Sequence, residues 1–257
     1  MSEVEHDRLQ DGFLKEKSAM PFLDHLEELR WRLIKSVLAV IVLAIVAYSF
    51  ANYLIDFIQI PFSQIRPDGT NAIKLYNTEI TGTFYAYIKV SLITGVIVAL
   101  PFIFYQLWAF IAPGLYKKER MMILPLVFIS TFLFLVGAAF CFQVVLPISL
   151  EFLIGFSGGS IENIITIGSY LSFTGLLLMA FGLGFQMPLL SFFLGKIGII
   201  NAGMLSKGRR YAIVGMLIVG AIITPPDVFT QLLLAIPLYL LYEISIIVVR
   251  ITQRKKN

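Results

Sequence analysis

Charge is scarce in this chain of 257 residues: 14% are Asp, Glu, Lys or Arg, where a soluble domain carries about 25%. That scarcity excludes a conventional soluble enzyme. Cysteine is scarcer still, with Cys141 alone inside an apolar run, so no internal disulfide can form. Histidine occurs only at His6 and His25, and there is no H-E-x-x-H or Cys/His cluster, so no metal site is expected. A G-x-x-x-x-G-K-[ST] phosphate loop and a G-x-S-x-G elbow are both missing, which excludes P-loop ATP hydrolysis and elbow-type serine chemistry. Gly155-Phe156-Ser157-Gly158-Gly159 reads as a loop and not as a phosphate cradle. The chain is not expected to be an enzyme or to need a cofactor.

What remains is hydrophobic: 58% of residues are apolar. A membrane span needs about 20 such residues. Charge-free windows at 36–55, 90–116, 121–150 and 163–195 meet that length and predict helical spans near 34–55, 88–108, 122–146 and 168–194. A further apolar stretch, 211–249, is broken at Thr224-Pro225-Pro226-Asp227, giving short helices near 211–223 and 228–249. The expected architecture is an all-α integral membrane protein with six transmembrane helices in one domain, 21–250. Residues 1–20 read as a flexible tail and 251–257 as a basic one. The start lacks the basic, apolar and small-residue pattern of a signal peptide, so the first span reads as retained. Pro101, Pro125, Pro147, Pro188 and Pro237 lie within or at the ends of spans and favour a curved bundle.

With both termini on one side, the loops there collect 17 Lys and Arg, against Arg66, Lys74 and Lys89 on the other. The positive-inside rule then places both termini in the cytoplasm.

Ahead of the first span, Pro21–Lys35 reads PFLDHLEELRWRLIK. Its apolar residues recur every three to four positions, so it forms an amphipathic helix. The acids Asp24, Glu27 and Glu28 give that helix a surface suited to a cationic ligand. Glu28 is also spaced to pair with Arg32 on the helix surface. A second acid, Glu119, lies among Lys117, Lys118 and Arg120 between the second and third spans, where it also balances local charge. Inside the membrane, Gln106, Gln143, Gln186, Gln231 and Glu243 need partners or a wet cavity. Gln186 sits mid-span, where a functional role and an ordinary interhelical bond are both open readings. Asp227 is placed to cap the last helix.

Three blocks resemble a known family. Phe22-Leu23-Asp24-His25-Leu26-Glu27-Glu28-Leu29-Arg30 resembles the N-terminal signature of TatC, the multispanning core of the twin-arginine protein translocase. The run from Tyr105 to Arg120, YQLWAFIAPGLYKKER, is similar to that family's first cytoplasmic loop. Thr224-Pro225-Pro226-Asp227, Gln231 and Ala235-Ile236-Pro237-Leu238 resemble its terminal hairpin. The resemblance implies a cupped six-helix fold in the prokaryotic cytoplasmic membrane. It also implies a receptor for signal peptides bearing consecutive arginines.

By the same resemblance, Glu28 and Glu119 contact the arginine pair, with Arg30 and Phe110 as sensitive neighbours. Pro61 falls in the first periplasmic loop, and Gln186 stands where the family often has glutamate, so a proton-linked role there is not supported. Implied partners are folded cargo carrying such signals, single-span TatA-type and TatB-type proteins, and further copies of the chain. Export would draw on the proton-motive force, consistent with the missing P-loop. Guanidinium groups stay charged and form two-pronged bonds to carboxylates, which suits paired acids. The competing reading is a small-molecule or ion transporter with a site around Gln186 and Gln231. A third is a passive scaffold.

Overall fold

The computed structural model describes residues 3–63, 75–111, 123–156, 164–224 and 227–254, with side chains from Asp24 to Gln253 within those ranges except Ser63. Helix α1 runs Glu3–Tyr48. It therefore begins well before the position expected for the end of a flexible tail. Glu, Leu, Lys, Arg and Gln dominate its start, and these good helix formers let the turn propagate backwards from the packed part. At Phe50 the backbone leaves the helical region (φ −110°, ψ 15°) and α2, Ala51–Ile58, sets off with Ala51, Ile55 and Ile58 buried. A single turn, α3 (Ile60–Ser63), follows, with Pro61 near its start, where a missing N–H costs nothing.

Prolines and caps decide where the remaining helices break. Helix α4, Gly82–Ile111, carries Pro101 inside it. Helix α5, Ile123–Phe140, passes through a π turn at Cys141–Val145 into α6, Leu146–Gly155. Pro147 lies just beyond that turn. Its ring cannot accept the carbonyl four residues back, at Gln143, and one inserted residue relieves the clash. Helix α7, Ile167–Gly184, is capped by the Thr166 hydroxyl, which accepts from Ser169 N at 3.2 Å. It ends at Phe185 and Gln186, because Pro188 at the start of α8 (Met187–Ile197) offers Gly184 no N–H. Gly198, with φ +87°, closes α8 in a left-handed turn suited to glycine. The stretch expected as one span is thus two helices.

Helix α9 runs Ala202–Ile223 and α10 runs Val228–Arg254. The Asn201 side chain caps α9 by accepting from Met204 N at 2.8 Å. The charge-free part of α9 is the short segment read from the sequence; the helix gains length by borrowing residues 202–210, with Lys207, Arg209 and Arg210. A helix of 22 residues is about 33 Å long, close to the thickness of a bilayer's hydrocarbon core. Five of the helical stretches are long and apolar enough to cross a membrane: Asp24–Tyr48, Gly82–Ile111, Ile123–Gly155, Ile167–Ile197 and Val228–Gln253. One small departure from an all-α chain occurs among the described residues: β1 (Leu75–Tyr76) pairs in parallel with β2 (Ile165–Thr166).

Helix α4 packs against α1, α5 and α7, while α10 packs against α8 and α9. The side chains that fill the interior are mostly aromatic and aliphatic, including Phe134, Phe181, Leu146 and Leu171. Outward-facing residues are equally apolar: Leu33, Val42 and Ile45 of α1 are largely exposed. That inverted surface belongs in lipid. Helices α1 and α4 approach backbone to backbone, and a Cβ on Gly95 would lie 2.8 Å from the Ala44 backbone nitrogen.

Gly95→Val is therefore expected to push α1 off α4 and destabilise the protein by about 1–3 kcal/mol. Gly155→Ala, where an added Cβ meets nothing within 4 Å, serves as the neutral control. Thermal unfolding in detergent, followed by size-exclusion chromatography, separates the two; equal midpoints would rule out the close seat of α1.

Candidate functional site

One end of the bundle collects the start of α1's apolar run, the end of α4, the start of α5, the end of α8, the start of α9 and the end of α10. Most of the described Lys and Arg lie here, so it is called the basic end. On α1, residues 25, 28 and 32 share a face through their three- and four-residue spacing; on α4, residues 106 and 110 do the same.

The two faces meet. The His25 ring stacks flat on Phe110, with centroids 4.3 Å apart and planes 7° from parallel. Arg32 donates from Nε and Nη2 to Glu28 Oε1 at 2.9 and 2.6 Å, and from Nη1 to Gln106 Oε1 at 3.1 Å. His25 Nδ1 lies 3.7 Å from the other Glu28 oxygen, Oε2. The helix-surface pair expected from spacing is present, and it is extended by a buried glutamine from the neighbouring helix.

Glu28 lies ahead of the uncharged run that begins at Ser36. The Arg32 hydrogen bond, outweighing desolvation, and the nearby charges of Arg32 and His25 hold its carboxyl below the usual carboxylate range. The group is thus an anion at neutral pH, with one oxygen occupied and the other turned toward His25. Asp24, Glu27 and Arg30 are exposed on the same helix. Glu119 lies outside the described residues.

Beneath this site the structure is tied down by one hydroxyl. Trp108, between Gln106 and Phe110 in sequence, is buried and donates from Nε1 to Ser130 Oγ at 2.9 Å. Its ring meets Phe193 edge-on, with centroids 4.9 Å apart. The Ser130 carbonyl in turn accepts from Gln186 Nε2 at 3.0 Å. Gln186 also reaches Gly182 O at 3.4 Å, across the break between α7 and α8. Gln186 is therefore buried as a donor between two carbonyl oxygens.

The other sequence-selected residues lie elsewhere. Pro61 is buried in α3 at the opposite end. Asp227 caps α10, accepting from Thr230 N at 2.6 Å and from the Thr230 hydroxyl. Gln231 donates to Leu217 O at 2.8 Å, joining α10 to α9. Glu243 is gripped by Arg209 at 2.6 and 2.9 Å and accepts from the Tyr239 hydroxyl at 2.8 Å. Sequence reasoning passed over His25 and did not join Arg32 to Gln106. Facing helical spacings, 25/28/32 and 106/110, were the signal that could have found them.

Comparison with known proteins settles the family. The family profile described as Sec-independent protein translocase protein (TatC) matches residues 24–237. The chain belongs to the TatC family. A TatC relative from Desulforapulum autotrophicum is 42% identical over 243 residues, covering 95% of this chain and 89% of its own. TatC of Escherichia coli K12 is 40% identical over 230 residues, covering 90% and 88%. A solved structure described as the twin arginine translocase receptor TatC superposes with a TM-score of 0.81 at 40% identity, covering 89% of this chain and 99% of its own. The TatC match starts at Asp24, so all the residues of the α1–α4 site fall within it. Family membership and the five apolar helices make the chain a multi-pass membrane protein.

Two substitutions test this geometry. Phe110→Ala removes the stack on His25 and is expected to speed amide hydrogen exchange over residues 24–30 by roughly two- to tenfold, the worth of one aromatic pair. Unchanged exchange would mean that the stack does not hold α1. Gln186→Glu can bond the two carbonyls only while it keeps its proton, so it is expected to cost about 1–3 kcal/mol at alkaline pH and less at acid pH. Gln186→Leu should cost less, and thermal unfolding in detergent gives the order.

Proposed function

We propose that this chain is the receptor core of the twin-arginine translocase, binding the arginine pair of signal peptides at the α1–α4 site. The observation that carries the reading is the Arg32–Glu28 contact: a carboxylate on an accessible helix already holds a guanidinium by two N–H groups. A signal arginine would take the place of Arg32 on Glu28, and Arg32 would keep Gln106. Phe110 and His25 hold the α1 segment against α4. Glu119, on the adjoining loop, supplies the acid for the second arginine, and Arg30 lies beside the path. Pro61 and Asp227 act in shaping the opposite end, and Gln186 acts as a brace between helices and does not carry protons.

In this reading the basic end faces the cytoplasm, both termini included, and six helices span the prokaryotic cytoplasmic membrane. Single-span TatA-type and TatB-type proteins dock on the lipid-facing helices, further copies of the chain join the complex, and the proton-motive force drives export. No catalytic step belongs to this protein. The transporter reading loses its site, because Gln186 and Gln231 are both engaged with backbone carbonyls.

The test uses a signal peptide in Arg-Arg and Lys-Lys forms against the full-length protein in nanodiscs. Glu28→Ala is expected to narrow the preference for Arg-Arg over Lys-Lys about tenfold, the worth of one charge-assisted contact. Arg32→Gln, which frees Glu28, should bind at least as tightly as wild type. A photocrosslinker at position 119 should label the Arg-Arg form in preference. Equal labelling of both forms, or equal losses in Glu28→Ala and Arg32→Gln, would overturn the assigned site.

A further inference from the structure

At the end opposite the basic one, Lys89 sits seven residues inside α4, roughly 10 Å from the helix start. A cation at that depth needs a partner or a path to water. Its ammonium donates to Gly168 O at 3.2 Å and to Ser172 Oγ at 2.8 Å, both on α7. Both partners are neutral. Among the described residues the carboxylates paired with a cationic side chain are Glu28 and Glu243, at the other end. An ammonium has three N–H groups, so one donor and the whole charge remain available.

Two cavities meet at this side chain. One, about 670 Å³, has a mixed lining that includes Asn77, Glu79, Tyr85, Lys89, Ser169 and Ser172. The other, about 310 Å³, is apolar and shares Lys89 and Ser172 before continuing along Leu92, Ile93 and Val96. It is followed by a third, about 580 Å³, which shares Leu176 and Met179 with it. Among the described residues, a pocket of mixed polarity with one cation, Lys89, and one carboxylate, Glu79, thus adjoins an apolar groove along the helices.

We infer that this junction binds a phospholipid with a phosphoethanolamine headgroup. Lys89, with the hydroxyl of Ser169, takes the phosphate; Glu79, the one carboxylate among the described residues lining this cavity, takes the ammonium; an acyl chain follows Leu92 to Met179. A purely anionic headgroup would satisfy Lys89 and be repelled by Glu79. A phosphocholine would place methyl groups where Glu79 wants N–H donors. The charge pattern therefore selects the aminophospholipid.

The experiment is native mass spectrometry of the full-length protein released from detergent containing equimolar phosphatidylethanolamine, phosphatidylglycerol and phosphatidylcholine. Wild type should retain phosphatidylethanolamine preferentially. Lys89→Gln should lower that retention about tenfold, the worth of a charge-assisted phosphate contact. Glu79→Gln, at an exposed position, should erase the preference among the three lipids. Glycerophosphoethanolamine and inorganic phosphate, lacking chains, should fail to displace the lipid. Equal retention of all three lipids by wild type, an unchanged preference in Glu79→Gln, or displacement by inorganic phosphate would each overturn the assignment.

Discussion

Ser130 is the residue on which the working end of this protein depends. Its hydroxyl takes the Trp108 indole from α4 and its carbonyl takes the Gln186 amide from the α7–α8 break. Three helical segments are thereby fixed at one point on α5. In lipid there is no water to satisfy a freed indole or amide, so these bonds have no good substitute. The consequence reaches the surface through Trp108. Gln106 and Phe110 flank it on the same helix, and they hold Arg32 and His25 of α1. A chain of contacts thus runs from deep in the bundle to Arg32 and His25, the partners of the accessible Glu28.

The same requirement explains the polar groups elsewhere. Prolines at 147 and 188 remove backbone donors, and the chain answers with a π turn and with a full break. The break is then crossed by a glutamine. At α9 and α10 the pattern repeats with different residues: Gln231 reaches Leu217 O, and Tyr242 reaches Leu205 O at 2.8 Å. Side-chain amides and hydroxyls do here what backbone pairing does in a regular helix. Arg209 and Glu243 add an ion pair near the basic end, where water is close and the cost of charge is low.

Much of this was legible in the sequence, and the exceptions share a cause. Length and hydropathy gave the long apolar helices, and the 224–227 turn announced the last hairpin. The extent of α9 was not legible, because a charge-free window stops at Tyr211 whereas a helix continues through Lys207, Arg209 and Arg210 into the interface. The α7–α8 break hid inside an uncharged run; Pro188 marked it, but an intramembrane proline can equally well leave a bend. At the site, Glu28 and its pair with Arg32 were legible from the acidic helix and its spacing and Phe110 came from family resemblance, whereas His25 and the Arg32–Gln106 contact needed two helices to be laid side by side. A one-helix reading saw a surface pair at 28 and 32. The third partner, 74 residues away, is invisible to spacing. Lys89 was counted only as a loop charge for orientation, and its position between mixed and apolar cavities has no signature in a single helix.

The prior occupation of Glu28 bears on how a receptor with a basic surface can select a basic ligand. An empty carboxylate would gain its full Coulomb attraction to any cation, lysine included. A carboxylate already held by a guanidinium gains only the difference between partners. A lysine would have to displace two directed N–H bonds with a single point charge, and an ammonium matches the carboxylate geometry less well than the planar fork does. An arginine replaces like with like, so the exchange is nearly neutral at Glu28, and net affinity must come from the second arginine and the apolar segment. Under the proposed function, then, Arg32 converts a site for cations into a site for guanidinium. In that reading Gln106 keeps its hydrogen bond to Arg32 while the carboxylate is in use.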